Sequence, residues 1–269
     1  MSAKVEQVWD LEAPLRLRKV KELAAARSCL DPTSLLKVAA DQGEASVLSS
    51  HAWRLWAKYR LGAPLTEVED AQCPGCSHIT DRHGDHALCC RKLGLYARHN
   101  DLCLQFSELC KEAGLQVEIE QGPADSLDRP ADALVHGLDG PSPVSADFSV
   151  VHALQLSADL ADVHPGKLAA AVERRKRREN RRLCAGAGWQ CQPFAVEARG
   201  AWRGGARFLL LRLGKAWALK HGCSSREAYR TCQDRLGVAV LRAVCRQLER
   251  GFPEPGVETE PPPVGLLRL

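Results

Sequence analysis

The densest chemistry in the sequence lies in "CPGCSHITDRHGDHALCC", residues 73–90. Cys73 and Cys76 are spaced Cys-x2-Cys, with Pro74 and Gly75 between them suited to a tight turn. Such a turn supplies two thiolates at the right bite for a tetrahedral metal, and zinc takes four N or S ligands. The second pair is His86 with Cys90, or His86 with Cys89, with His78 and His83 as competing imidazoles. Four protein ligands leave no open position, so a zinc here has a structural role, stapling a loop that lacks a core of its own. Asp85 or Asp81 is placed to accept from a ligating histidine.

A second constellation is acidic. Asp132 lies in "RPADALV" and Asp147 in "SADFSVV", with Asp139-Gly140, a strong hairpin dipeptide, between them. A turn centred there pairs residues whose numbers sum to 279, which sets Asp132 opposite Asp147 with Cβ atoms roughly 5 Å apart. Two facing carboxylates repel, and a divalent cation removes that cost. Mg²⁺ is usually held by one or two carboxylates together with waters and substrate phosphate.

The third is basic. Between Lys167 and Arg182 stand eight Lys or Arg against two Glu, a density the rest of the chain does not reach. In "AAAVERRKRRENRRLC" the spacing puts Glu173, Lys176 and Asn180 on one helical face. A lysine there can stabilise charge developing on a phosphoryl oxygen. Arg174, Arg175, Arg177 and Arg178 are candidates for backbone phosphates. A nuclear-localisation tract and a solvated helix face are competing readings of the same run.

The elements that must position these groups follow from periodicity. Residues 1–70 read as helices: "LRLRKVKELAAARSCL" and "SVLSSHAWRLWAKYRLG" place apolar residues three and four apart, and Gly62 is a C-cap. Trp53 and Trp56 share a face and read as core. "YARHNDLCLQFSELCKEAG" is helical up to Gly114, "LQVEIEQG" alternates as a strand, and a hairpin follows. Then come the basic helix over 167–184, a strand in "WQCQPFAVEARG", helices over 201–221 and 224–250, and a Pro-rich, extended or disordered tail over 251–269. After residue 95 the order is helix, three strands, helix, strand, helices: an α/β arrangement with a small mixed sheet flanked by helices.

With 45% apolar and 26% charged residues, the composition is that of an ordinary soluble globular protein. No stretch of 18 apolar residues is present and the N-terminus lacks signal-peptide character, so neither a membrane span nor secretion is expected. The 12 cysteines are therefore expected to be reduced, in nucleus or cytoplasm.

Taken in order, these motifs resemble the C-terminal region of non-LTR retrotransposon polyproteins. That region carries a zinc knuckle and a restriction-like endonuclease related to the Pro-Asp/(Asp or Glu)-x-Lys nucleases. "CPGCSHITDRHGDHALCC" is similar to the family's knuckle, "RHND" follows it as in the family, "RPADALV" and "ADFSVV" resemble its acidic strands, and "KLAAAVERRKRREN" its lysine-bearing helix. "GWQCQPFAVEARGAW" is similar to a further stretch, and "AWRLWAKYRLGAPL" to the helix before the knuckle.

The resemblance spans about residues 50–250 and implies a helical connector over 1–70, a knuckle over 71–95 and a nuclease domain over 96–250. It assigns structural zinc to Cys73, Cys76, His86 and Cys90. It assigns catalytic Mg²⁺ or Mn²⁺ to Asp132 and Asp147, and catalysis to these two with Lys176. The usual strand lysine is Ser149 here, the family's frequent tyrosine is Asn180, and Pro130-Ala131-Asp132 replaces Pro-Asp. Glu120 and Glu197 are further candidate acids. The implied partners are DNA and the element's RNA. No Tyr-x-Asp-Asp polymerase signature occurs. The implied activity is nicking of DNA phosphodiesters; the alternative is a decayed, zinc-containing nucleic-acid-binding protein.

Overall fold

The computed structural model describes residues 48–68, 71–123, 129–138, 140–152, 166–202 and 204–254. The predicted helix within 15–30, Asp139 of the predicted turn and the tail from 255 lie outside the described residues. In chain order the elements are α1 (Ser50–Leu61), α2 (Asp85–Cys89), a single 3₁₀ turn (Arg91–Leu93), α3 (Leu95–Glu112), β1 (Gln116–Gln121), β2 (Ala131–His136), β3 (Val144–Val151), α4 (Lys167–Gly186), β4 (Gln190–Glu197), α5 (Gly205–His221) and α6 (Ser225–Gly251). The class is α/β, as the order of periodic segments predicts.

The four strands form one mixed sheet in the order β1-β2-β3-β4. The first two pairings are antiparallel, and β3–β4 is parallel, with α4 in the connection between them. The β2–β3 register pairs Ala133 with Ala146, Leu134 with Ser145 and Val135 with Val144. Each pair sums to 279, the register expected from the turn dipeptide. Gly140 has a φ of 94°, a conformation that favours glycine and suits the reversal.

Side chains alternate across β3, so its two faces have different partners. Val144, Ala146, Phe148 and Val150 join Phe194 and Val196 in the main core, beneath α3, α5 and α6. Val151 and Ala195 pack instead on Leu168, Ala169 and Val172 of α4. Alternation therefore directs Asp147 toward the α4 side.

The long helix α6 begins with a reciprocal cap, in which the Ser224 hydroxyl accepts from Glu227 N–H while Glu227 accepts from Ser224 N–H. It receives α1, through Ala52 and Trp56 packed on Leu241 and Cys245. It also receives α2 at a close crossing, where a Cβ built at Gly251 would lie 2.7 Å from the Ala87 Cβ. Leu55, Tyr59, Cys73 and Leu88 belong to the same main core as the sheet.

Two expectations need correction. Trp56 is buried, but Trp53 is 44% exposed and only stacks on Trp56, with ring centroids 5.0 Å apart. Residues three apart sit about 60° from one another around a helix axis, enough for one to reach the core and the other its margin. The first two residues of the tail expected over 251–269 are not part of one: α6 includes Gly251, and Phe252 packs in the core.

Candidate functional sites

The Cys/His segment is held by backbone hydrogen bonds in its first turn and by a side-chain carboxylate ahead of α2. Cys73 N–H donates to the His78 carbonyl and Ser77 N–H to the Cys73 carbonyl, closing the Cys73–Cys76 turn, and Gln72 bridges to Ile79. The Asp81 carboxylate accepts from the N–H groups of His83, Asp85 and His86 at 2.8, 3.1 and 2.6 Å, and so caps α2. His86 and Cys90 are then four residues apart across α2, on one side of it.

These features bring Cys73, Cys76, His86 and Cys90 together, with one donor atom from each within 4.8 Å of the others. The sulfurs of Cys73 and Cys90 are 3.9 Å apart, and Cys76 Sγ is 3.3 Å from His86 Nε2. A tetrahedral zinc has S···S edges of about 3.8 Å and S···N edges of about 3.5 Å, from bonds of about 2.3 and 2.0 Å. The group could hold a metal such as zinc.

Cys89, one residue and about 100° round the helix from Cys90, is outside it, as are His78 and His83. Neither aspartate is used as the sequence suggested. Asp81 holds backbone N–H groups, while Asp85 meets the buried His152 ring at 2.8 Å.

The acidic group forms where the β2–β3 ladder ends. Beyond the Ala133–Ala146 pair the next contact is made by a side chain, as Asp132 Oδ2 accepts the Phe148 N–H at 2.6 Å. Asp147 is reached from α4: Lys176 Nζ donates to Oδ1, and Asn180 Nδ2 donates to Oδ2 at 2.8 Å. Lys176 also donates to the Phe148 carbonyl at 2.9 Å. The lysine thus occupies the place beside the second acid that Ser149 does not fill.

Burial pushes the Asp147 carboxyl up to about 6, against the pull of the Lys176 charge and with a further push from Asp132. Burial also raises Asp132, but His99, Lys176 and the Phe148 N–H outweigh it and hold that carboxyl below its ordinary range. The two acids therefore differ: Asp132 is ionised early, and Asp147 resists ionisation.

Glu173 does not share the Lys176 surface as its spacing suggested. Its buried carboxylate accepts from the N–H groups of Gly205 and Ala206, each at 2.8 Å, and of Ala195 at 3.3 Å. It caps α5 and ties α4 to β4. Glu197 likewise accepts from Leu168 N–H at the start of α4, and Glu120 pairs with Arg129 at 3.2 Å. Neither joins the acidic pair.

Arg174, Arg175, Arg177 and Arg178 are all on the surface of α4, and Arg175 lies 3.8 Å from Glu179. Arg174 and Arg177 also line a cleft of about 450 Å³ with Gln192 and Phe208.

Two neighbours of Asp132 carry no assignment from sequence. His99 Nε2 is 3.4 Å from Asp132 Oδ1 and 3.4 Å from Cys103 Sγ. The signal for them is the four-residue spacing of His99 and Cys103 in a helical stretch, whose partner strand only the tertiary fold identifies.

Among the described residues, every cysteine is a free thiol and no helix is long and apolar enough to cross a membrane. Compared with known proteins, the sequence matches no family model and no curated protein.

Proposed function

We propose that this chain is a metal-dependent DNA endonuclease domain of the restriction-endonuclease-like type, related to those of non-LTR retrotransposons, with a zinc knuckle beside it. The observation that carries this reading is the meeting of Asp132, Asp147 and Lys176 at one end of the β2–β3 pair. Two acids and a lysine are what hydrolysis of a phosphodiester asks of a protein: ligands for a hard cation and a fixed positive charge at the reacting phosphate.

The residues fit Mg²⁺ or Mn²⁺. Asp132 raises the cost of charging Asp147, and a divalent cation between them relieves that repulsion. When bound, the cation supplies Lewis acidity at the scissile phosphate. Lys176, anchored by Asp147 and the Phe148 carbonyl, has a further N–H to donate to a phosphoryl oxygen. The arginines flanking it on the surface of α4 hold neighbouring phosphates. A zinc held by Cys73, Cys76, His86 and Cys90 would fix the segment that packs on α6, and free thiols suit a reducing nuclear or cytoplasmic compartment.

One observation favours a second reading, a nucleic-acid-binding protein that no longer cleaves. Both Asp147 oxygens are already engaged, by Lys176 and Asn180, so a cation must displace or share them. Incubating supercoiled plasmid with the purified chain in Mg²⁺ or Mn²⁺, beside Asp147→Asn and Asp132→Asn, separates the two. Nicking by the wild type and by neither variant supports the nuclease. Nicking by all three assigns the cut to a contaminant and overturns it. No nicking, with DNA binding that weakens steeply as salt rises, leaves the binding-only protein.

A further inference from the structure

His99 and Cys103 stand one turn apart on α3, so their side chains stack on one side of the helix. The His99 Nε2 atom faces two donor atoms at once, Cys103 Sγ at 3.4 Å and Asp132 Oδ1 at 3.4 Å, and all three lie within 4.8 Å of one another. A single ring nitrogen carries one proton or one lone pair, so it serves both neighbours only through a shared and weaker hydrogen bond. Its distance to the carboxylate is also long for a charge-assisted hydrogen bond, which is about 2.7–2.9 Å. The edges of a zinc tetrahedron fit better: bonds of about 2.0 Å to N, 2.3 Å to S and 2.1 Å to O give N···S near 3.5 Å and N···O near 3.4 Å. A mixed imidazole, thiolate and carboxylate set selects a borderline cation such as Zn²⁺ over Mg²⁺.

We propose that His99, Cys103 and Asp132 form a second zinc site, separate from the Cys73/Cys76/His86/Cys90 group. Three protein ligands leave its fourth position open to water or another small ligand, unlike the closed four-residue group. Binding releases the Cys103 thiol proton to solvent. Asp132 is common to this site and to the acidic pair with Asp147. On the nuclease reading given above, Zn²⁺ here withdraws Asp132 from Mg²⁺ and slows cleavage, making the site an inhibitory zinc sensor. The binding claim itself does not depend on that reading.

Titration of the metal-free chain with Co²⁺ tests the site, because cobalt replaces zinc and shows thiolate coordination in its absorption spectrum. The wild type is expected to take two thiolate-coordinated equivalents. Cys103→Ser and His99→Ala are each expected to take one, with the spectrum of the Cys73/Cys76/His86/Cys90 group retained. A wild type that takes only one thiolate-coordinated equivalent overturns the proposal, as does a Cys103→Ser variant that still takes two. The retained group spectrum serves as the folding control for both variants. The inhibitory role is read separately, from micromolar Zn²⁺ added to plasmid nicking in Mg²⁺. Inhibition is expected in the wild type and is expected to be relieved in Cys103→Ser. A wild type that never nicks removes the nuclease reading, while the cobalt count still decides whether the site exists.

Discussion

The buried ring of His152 and the carboxylate of Asp85 meet at 2.8 Å, joining the end of β3 to the helix that carries His86. The other ring nitrogen lies 3.1 Å from the Tyr59 hydroxyl of α1. One imidazole therefore links the strand bearing Asp147, the Cys/His segment and the first described helix. Asp85→Ala removes the carboxylate that meets that buried ring and is expected to destabilise the fold by about 1–3 kcal/mol in urea unfolding. Asp85→Asn, which can still accept, should cost distinctly less. Equal losses would mean that the pairing has no part in the effect.

Metal removal is predicted to act through Cys90 and not Cys89. Residues 71–84 have no helix or strand beyond the Gln72–Ile79 bridge, so turn hydrogen bonds and the cluster together hold them. A ligand at a thousand times its dissociation constant stabilises by about 4 kcal/mol. A chelator should therefore lower the melting temperature by several degrees. Cys90→Ser should reproduce that loss and abolish the chelator response, while Cys89→Ser keeps both the stability and the response.

The raised Asp147 carboxyl sets a pH dependence of stability. Its folded value, about 6, exceeds the unfolded value of about 3.9, so the ionised form is the one folding disfavours. The contribution is fully present below pH 3.9 or so and is lost as the pH rises through about 6. Compared with Asp147→Asn, the wild type should lose stability between pH 4 and pH 7 in the absence of divalent cations, by no more than about 3 kcal/mol. Excess Mg²⁺ should flatten the difference, because it stabilises the ionised carboxylate. A difference that is flat with and without Mg²⁺ would count against both the titration and the cation.

Glu173 holds three buried N–H groups, so Glu173→Ala is predicted to cost about 2–4 kcal/mol of stability. DNA affinity at a temperature where the variant is folded should not change. A variant with full stability would show that water or another side chain takes over the α5 cap.

Lys176 and its flanking arginines should separate in a salt titration. Each phosphate contact adds about 0.9 to the slope of log affinity against log salt. Arg177→Gln with Arg178→Gln should lower that slope by nearly 2 while leaving nicking at low salt detectable. Lys176→Met should abolish nicking and alter the slope by at most about 1. An unchanged slope in the double variant would remove those two arginines from the DNA surface.

The acidic register is legible in the sequence because it depends only on local chemistry. A turn dipeptide and two acids placed symmetrically about it fix the pairing sum at 279, and β2–β3 pairs in that register. The metal cluster is legible for the same reason, since its ligands fall within 18 residues. Spacing alone does not choose between Cys89 and Cys90; the choice follows from where α2 ends and which of the two lies on the His86 side. Glu173 escapes a reading by spacing because helical periodicity gives an angle about an axis but not what stands opposite. The α5 N-terminus that claims it comes from residues more than 30 positions later. His99 and Cys103 are hidden likewise, as their third partner arrives from β2. Trp53 and Trp56 differ in burial although their spacing makes them neighbours, because α6 covers only part of α1.

Helix α4 is held in two directions at once, by Glu173 on the α5 N-terminus and by Lys176 on Asp147. Only two residues separate these anchors, so the helix has a fixed phase. Many substitutions at Arg174 or Arg175 leave that phase intact, since both are exposed. Inserting one residue between the anchors rotates one against the other by about 100°. Either the α5 cap or the contact with Asp147 must then be given up. The segment should therefore tolerate changes of letter far better than changes of length, and a one-residue insertion there is a sharper lesion than any single replacement of its arginines.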